Sequence, residues 1–141
     1  IHYTLKRDPD GRAIPAQRVI RCPRDSATVL MSILQHEPSE VFGILCLSTR
    51  HHVIAYHEVS RGTLDMTVVC PREVFRAAPL SNAAAVILAH GHPSGDPSPS
   101  ADDVALTNRL VDAGKLLGIE ILDHIVVGDG RYVSFKEICR L

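Results

Sequence analysis

Tryptophan is absent from this chain, and only three tyrosines and three phenylalanines occur in its 141 residues. Single-stranded nucleic acid is held largely by stacking on aromatic rings, so this composition argues against a stacking platform. Charge of one sign is also missing: 15 Lys and Arg stand against 16 Asp and Glu, for a net charge of −1. Phosphate contact needs clustered cations, which argues against a dedicated nucleic-acid binder. No apolar run approaches the ~20 residues that span a bilayer. No secretory signal pattern opens the chain, and the first residue is not methionine, so flanking segments are expected. The four cysteines, Cys22, Cys46, Cys70 and Cys139, stand singly with no C-x-x-C pair. They read as reduced core thiols of a cytoplasmic protein rather than disulfides or metal ligands. No serine sits in a Gly-x-Ser-x-Gly elbow. The H-x-E and P-C-x-x-C signature of zinc deaminases is missing as well.

What is present is enough apolar residue, 45%, for a real core, in a length that fits one domain over residues 1–141. Residues 1–16 are polar and turn-rich, an irregular segment with room for an edge strand before the turn at residues 8–11. Residues 17–22 read as a short strand. A helix capped by Asp25 or Ser26 runs to about residue 36, with Val29, Leu30, Ile33 and Leu34 inward. Glu37-Pro38-Ser39 breaks it. VFGILCLS (41–48) is a near-continuous apolar run and so a buried strand, with 51–60 its antiparallel partner. Residues 66–70 suggest another strand, and Pro71 opens a short helix. AAAVILAH (83–90) reads as a central strand. Residues 102–117 form a helix with a stripe of Leu106, Leu110, Ala113 and Leu117, ended by Gly118. Residues 119–128 and 131–135 form a hairpin about Asp129-Gly130, and Ser134 caps a last short helix. Hairpins and crossovers together predict an α/β or α+β sheet with helices packed on it. No repeat, low-complexity tract or linker interrupts it.

Chemistry concentrates in one stretch, AHGHPSGDPSPSADD (89–103). If His90 ends a strand and the chain turns at once, His90 and His92 converge on one point. Asp103 follows at the first turn of the next helix. Two imidazoles and a carboxylate make a three-ligand zinc site with one open position, the form of catalytic rather than structural zinc. Pro93, Gly95, Pro97 and Pro99 stiffen the intervening loop and lower the entropy cost of ordering it. The same residues have a bland reading, because Ser100-x-x-Asp103 before an apolar-periodic helix is also a capping box. The two are compatible, since a cap fixes Asp103 near the strand end. A carboxylate that accepts a proton would complete the chemistry. Glu37, Glu40, Glu58 and Glu73 are candidates. Glu40 heads the most apolar strand, although a charged residue at a strand start is ordinary.

These residues resemble the JAMM metalloprotease motif of JAB/MPN domains, and within that superfamily the RadC family. The pattern is Glu40, His90-Gly91-His92-Pro93, Ser100 and Asp103. Flanking matches are EVFGILCL, RGTLDMTVVCPREVFRAA, NAAAVILAH, LLGIEILDHIVVG and YVSFKE, covering residues 22–138. The resemblance implies a curved mixed sheet between helices, laid out like a cytidine deaminase. It implies one zinc per chain on His90, His92 and Asp103, Glu40 as general base, and Ser100 as oxyanion stabiliser. The implied reaction is hydrolysis of an amide or isopeptide bond, by Glu-assisted attack of zinc-bound water on a protein or peptide substrate. Direct nucleic-acid binding and membrane attachment are not expected, and a homodimer is left open. The alternatives are a non-catalytic interaction module, which would be expected to lack the ligands, and a protein associated with DNA repair. Gly91 departs from the family's usual Asn, and the helix-hairpin-helix region that often precedes RadC domains is not visible. Asp123-His124 matches the family's DHI and reads as a structural hydrogen bond rather than a support of the zinc. His51, His52 and His57 read as surface or half-buried residues, and Ser94 as a turn residue.

Overall fold

A computed structural model describes residues 19–34, 36–62, 69–80 and 82–141. The expected irregular segment at residues 1–16 and most of the expected strand at 66–70 lie outside them; Val69 and Cys70 are not strand.

Proline at the first helical position opens helix α1 (Pro23–Leu34). Its φ is already helical and its missing N–H would have been unpaired there anyway. Asp25 reaches back to accept the Arg21 backbone N–H at 2.8 Å. Ala27, Val29, Leu30 and Leu34 are buried, while Ile33 is only partly so. Strands β1 (Val41–Leu47) and β2 (Val53–Arg61) are antiparallel neighbours. Helix α2 (Pro71–Leu80) again starts on proline and leads to β3 (Ala85–Gly91). Helix α3 (Ala101–Leu117) crosses to β4 (Glu120–Gly128), which turns back into β5 (Arg131–Ser134).

The sheet is mixed and five-stranded, in the order β2-β1-β3-β4-β5, with β3 and β4 parallel and the other pairs antiparallel. Helices lie on both faces, so the fold is α+β. Every residue of β1 and β3 is buried, which explains why both read as apolar runs without alternation. Their side chains divide by parity. Leu45, Leu47, Ile87 and Ala89 pack with Leu30 and Leu34 of α1. Phe42, Ile44, Cys46, Val86 and Leu88 pack with Val74 and Phe75 of α2 and Leu106 and Leu110 of α3. Each large aliphatic side chain buried this way contributes roughly 1.5–3 kcal/mol. Asp129 and Gly130 both have positive φ, 51° and 69°, the conformation a two-residue hairpin turn requires.

Several sequence expectations are corrected. Residues 17–22 contribute no strand among the described residues, only an isolated bridge from Val19 to His52. Leu117 is 59% exposed; the inward face of α3 instead runs through Asp103, Leu106, Thr107, Leu110 and Gly114. Polar side chains at two of those positions hid it from a hydrophobicity pattern. The last segment, 135–139, forms turns rather than a helix. Ser134 does accept the Glu137 N–H at 3.1 Å, but its own hydroxyl is drawn to Asp123. All four cysteines are free thiols, yet only Cys46 belongs to the core; Cys22 and Cys139 are exposed and Cys70 is half-buried. Among the described residues no helix is long and apolar enough to cross a membrane.

Candidate metal centre

The centre lies where β1 begins and β3 ends. Antiparallel pairing sets Val41 opposite Gly91 and Phe42 opposite His90. Continuing that register by one residue brings Glu40 level with His92. Glu40, His90 and His92 offer ligand atoms within 4.8 Å of one another. Glu40 is held by its backbone, whose carbonyl accepts the Gly62 N–H at 2.9 Å. Just outside it, Arg61 binds Glu37 at 2.7 Å and Glu58 at 2.5 Å, clamping the segment before β1 to the end of β2.

His90 shares the Phe42 face of the sheet, and the two rings meet edge to face at 6.1 Å. The chain leaves the strand after Gly91, and the His92 N–H donates to Val127 O at 2.8 Å. That places the two imidazoles nearly perpendicular with centroids 4.4 Å apart. His92 Nδ1 lies 2.7 Å from Asp96 O. A carbonyl only accepts, so Nδ1 carries the proton, which in the neutral ring leaves Nε2 as the nitrogen free to ligate a metal.

Asp103 is placed by the capping box of α3. Ser100 Oγ accepts the Asp103 N–H at 3.1 Å, and Asp103 Oδ2 accepts the Ser100 N–H at 2.8 Å. Oδ2 also stands 3.7 Å from His92 Nε2, and Oδ1 stands 3.2 Å from His90 Nδ1. Asp103 is 1% exposed. Burial, the largest single influence, pushes its pKa up. The close His90 imidazole and the Ser100 N–H outweigh it and hold the carboxyl well below the usual carboxylate range. The cap and the site thus share residues.

Three buried polar atoms here have no hydrogen-bond partner: both ring nitrogens of His90 and Oδ1 of Asp103. Buried polar groups are almost always satisfied, so these orphans mark what a ligand would complete. Imidazole nitrogens with carboxylate oxygens are the donor set zinc takes, and the residues present fit such an ion. Of the residues expected at the site, Glu40 groups with His90 and His92, Asp103 lies against the two histidines, and Ser100 joins only through Asp103.

Glu37 and Glu58 are spent in the Arg61 clamp, and Glu73 sits in the first turn of α2. His51, His52 and His57 are half-buried and Ser94 lies in a turn, as read from the sequence. Asp123 is structural: it accepts from the His124 N–H at 2.7 Å, the Lys136 N–H at 3.0 Å and the Ser134 hydroxyl at 2.5 Å. His124 is fully buried; desolvation pushes its pKa down to about 3, aided by the neighbouring His90 imidazole. Thr107 was missed by sequence reasoning. Its only signal is a hydroxyl at an inward position four residues after Asp103. Gly91 borders a cavity of about 350 Å³ lined also by Leu34, Glu37, His92, Gly95 and Asp129. A Cβ at Gly91 would meet only Leu34, at 3.7 Å, so the departure from Asn leaves this cavity wider.

Fold and site together define a mixed α+β domain carrying a metal-competent cluster at the sheet end. Residues 20–140 match the RadC-like JAB domain family. The chain is 51% identical over 118 residues to a UPF0758 protein of Alkaliphilus metalliredigens, covering 84% of this chain and 51% of that one. It is 47% identical over 121 residues to a UPF0758 protein of Methanosarcina mazei, covering 86% and 53%. A third, from Moorella thermoacetica, is 48% identical over 131 residues, covering 90% and 57%. The chain belongs to the RadC-like JAB domain family. It spans about half the length of the curated relatives it matches.

Proposed function

We propose that this domain is a zinc-dependent hydrolase of the JAMM metallopeptidase type, cleaving an amide or isopeptide bond in a protein or peptide. One observation carries the reading: two imidazoles and two carboxylates converge at a sheet end, and the most buried of their polar atoms have no partner. Zinc, when bound, would supply Lewis-acid polarisation of the scissile carbonyl and a lowered pKa for a neighbouring water.

His90, His92 and Asp103 would hold the ion. Asp103 fits the ligand role because its buried Oδ1 makes no hydrogen bond and faces His90 Nδ1 at 3.2 Å, where an ion could sit between donors from two elements. Glu40 is only half-buried at the rim, where a carboxylate can reach a substrate water, take its proton and return it to the leaving amine. The Gly62 tether and the Arg61 clamp keep Glu40 at that rim. The Ser100 hydroxyl accepts in the cap, and its proton stays available to donate to a developing oxyanion. The four free thiols support a reducing, cytoplasmic setting.

The close grouping of Glu40 with His90 and His92 favours a second assignment, in which Glu40 ligates and Asp103 orients. Bound zinc per chain, measured after equilibration and desalting, tests the centre. One ion on the wild type and none on His92→Ala is expected. A folded wild type that retains no zinc refutes the reading. Glu40→Gln separates the roles: zinc retained with hydrolysis lost supports the general base, and zinc lost supports the second assignment.

A further inference from the structure

A third histidine lies behind the centre. His124, on β4, is fully buried; its ring stacks on Phe135 at 4.5 Å and meets Phe42 edge to face at 5.9 Å. Its centroid is 6.2 Å from that of His90. Its one polar tether among the described residues is Thr107: Nδ1 lies 2.7 Å from Thr107 Oγ1, while Nε2 has no partner.

Proton counting fixes the direction of that bond. Thr107 Oγ1 also lies 2.7 Å from the backbone carbonyl of Asp103. A hydroxyl has one proton, and a carbonyl can only accept. The Thr107 proton therefore goes to Asp103 O, and the contact with His124 must be Nδ1–H donating to Oγ1. This holds whether or not Nε2 is protonated. The result is a directed chain, from His124 Nδ1–H to Thr107 Oγ1–H to Asp103 O. It joins β4 to the first turn of α3 at the residue whose carboxylate faces His90 and His92.

We propose that His124 and Thr107 are positioning residues of the metal centre, fixing the Asp103 carboxylate through its own backbone carbonyl. The capping box already holds Asp103 relative to Ser100, but both of those residues move with α3. Leu106 and Leu110 pack the helix on the sheet, and the His124–Thr107 link adds a directed polar tie between its first turns and β4. Asp103 differs from an ordinary capped residue in this respect, because its side chain must meet groups on another element to within a few tenths of an ångström. The inference rests on the metal-centre reading, and it assigns neither residue a contact with metal or substrate.

The test combines a spectrum with metal affinity. In ¹⁵N-labelled, metal-free protein, long-range ¹⁵N–¹H correlation should show His124 Nδ1 bearing the proton; an Nδ1 without a proton overturns the proposal. Zinc affinity is then measured by competition with a chromophoric chelator. Thr107→Val and His124→Leu should each weaken zinc about 10–100-fold, the usual cost of losing an orienting partner. Thr107→Ser restores the hydroxyl and His124→Asn restores a donor near the Nδ1 position, so both should recover most of that affinity. A folded Thr107→Val protein with wild-type affinity and only a lower melting temperature would show a purely structural role and overturn the proposal. A wild type that binds no zinc would sink the metal-centre reading, and this proposal with it, a failure distinguished by the wild-type control.

Discussion

Asp103→Asn is the sharpest perturbation of the centre. The substitution nearly preserves shape, and the amide oxygen can still accept the Ser100 N–H that Oδ2 accepts at 2.8 Å. The cap hydrogen bond should therefore survive, and what the fold loses at neutral pH should be the charge-dependent stabilisation of the ionised carboxyl. The charge also bears on the metal. In the wild type a carboxylate that is 1% exposed stands 3.2 Å from one imidazole nitrogen and 3.7 Å from the other. Residues that merely orient ligands cost 10–100-fold in metal affinity when removed. Loss of a ligand should exceed that range, so zinc should weaken by more than ~100-fold, or ~2.8 kcal/mol. Calorimetric titration of zinc into wild type, Asp103→Asn and Glu40→Gln measures it. Wild-type affinity in Asp103→Asn would refute the assignment of Asp103 as a ligand, and a loss in Glu40→Gln instead would transfer that role. The metal-free proteins give a second signature. The folded carboxyl of Asp103 lies below its unfolded value, so over that window the unfolded chain binds more protons. The stabilisation is complete above the unfolded pKa of ~3.9 and is lost as pH falls toward the folded value. Urea unfolding at pH ~7 and pH ~3 should show a smaller acid loss in Asp103→Asn than in the wild type.

Three further substitutions test the same geometry. Ser100→Ala removes the acceptor of the Asp103 N–H and should cost about 1 kcal/mol in urea unfolding; an unchanged midpoint would show the cap to be energetically idle. If the Ser100 hydroxyl also serves the oxyanion, hydrolysis of a mixed peptide pool by zinc-loaded protein should fall ~10²–10³-fold beyond any stability effect. Gly43→Ala would place a Cβ into the Tyr56 hydroxyl, 2.6 Å from Tyr56 Cζ and 2.7 Å from His57 O. Overpacking of this kind costs about 1–3 kcal/mol, so the melting temperature by circular dichroism should drop by several degrees, and an unchanged value would contradict the packing. Gly91→Asn meets only Leu34 and should leave melting temperature and zinc stoichiometry unchanged while narrowing the adjoining cavity in a crystal structure; lost zinc would show that Gly91 is needed for metal binding.

The legible part of this protein was local. His90, His92, Ser100 and Asp103 fall within fourteen residues, and their spacing along a strand end, a stiff loop and a helix start already limits where each can go. The buried strands were legible because β1 and β3 carry apolar side chains on both faces. The hairpin at Asp129-Gly130 was legible because few residue pairs tolerate two positive φ angles. The C-terminal segment and residues 19–22 were misread because short runs satisfy several local patterns equally well.

The sequence by itself thus determined the donor residues, the strand runs and the helix cap, since backbone sterics and short-range hydrogen bonds act over a few positions. Tertiary structure decided which of those pieces meet. Glu40 reaches the histidines from fifty residues away only because the β1–β3 register sets Val41 against Gly91. His124 reaches Thr107 only because β4 lies parallel to β3 beneath the first turns of α3. Leu117 fits a helical stripe, yet it faces water because the inward face is set by what the sheet offers to meet it. Pairing register and helix docking are fixed by the sum of many long-range contacts, and no short stretch of chain carries that sum.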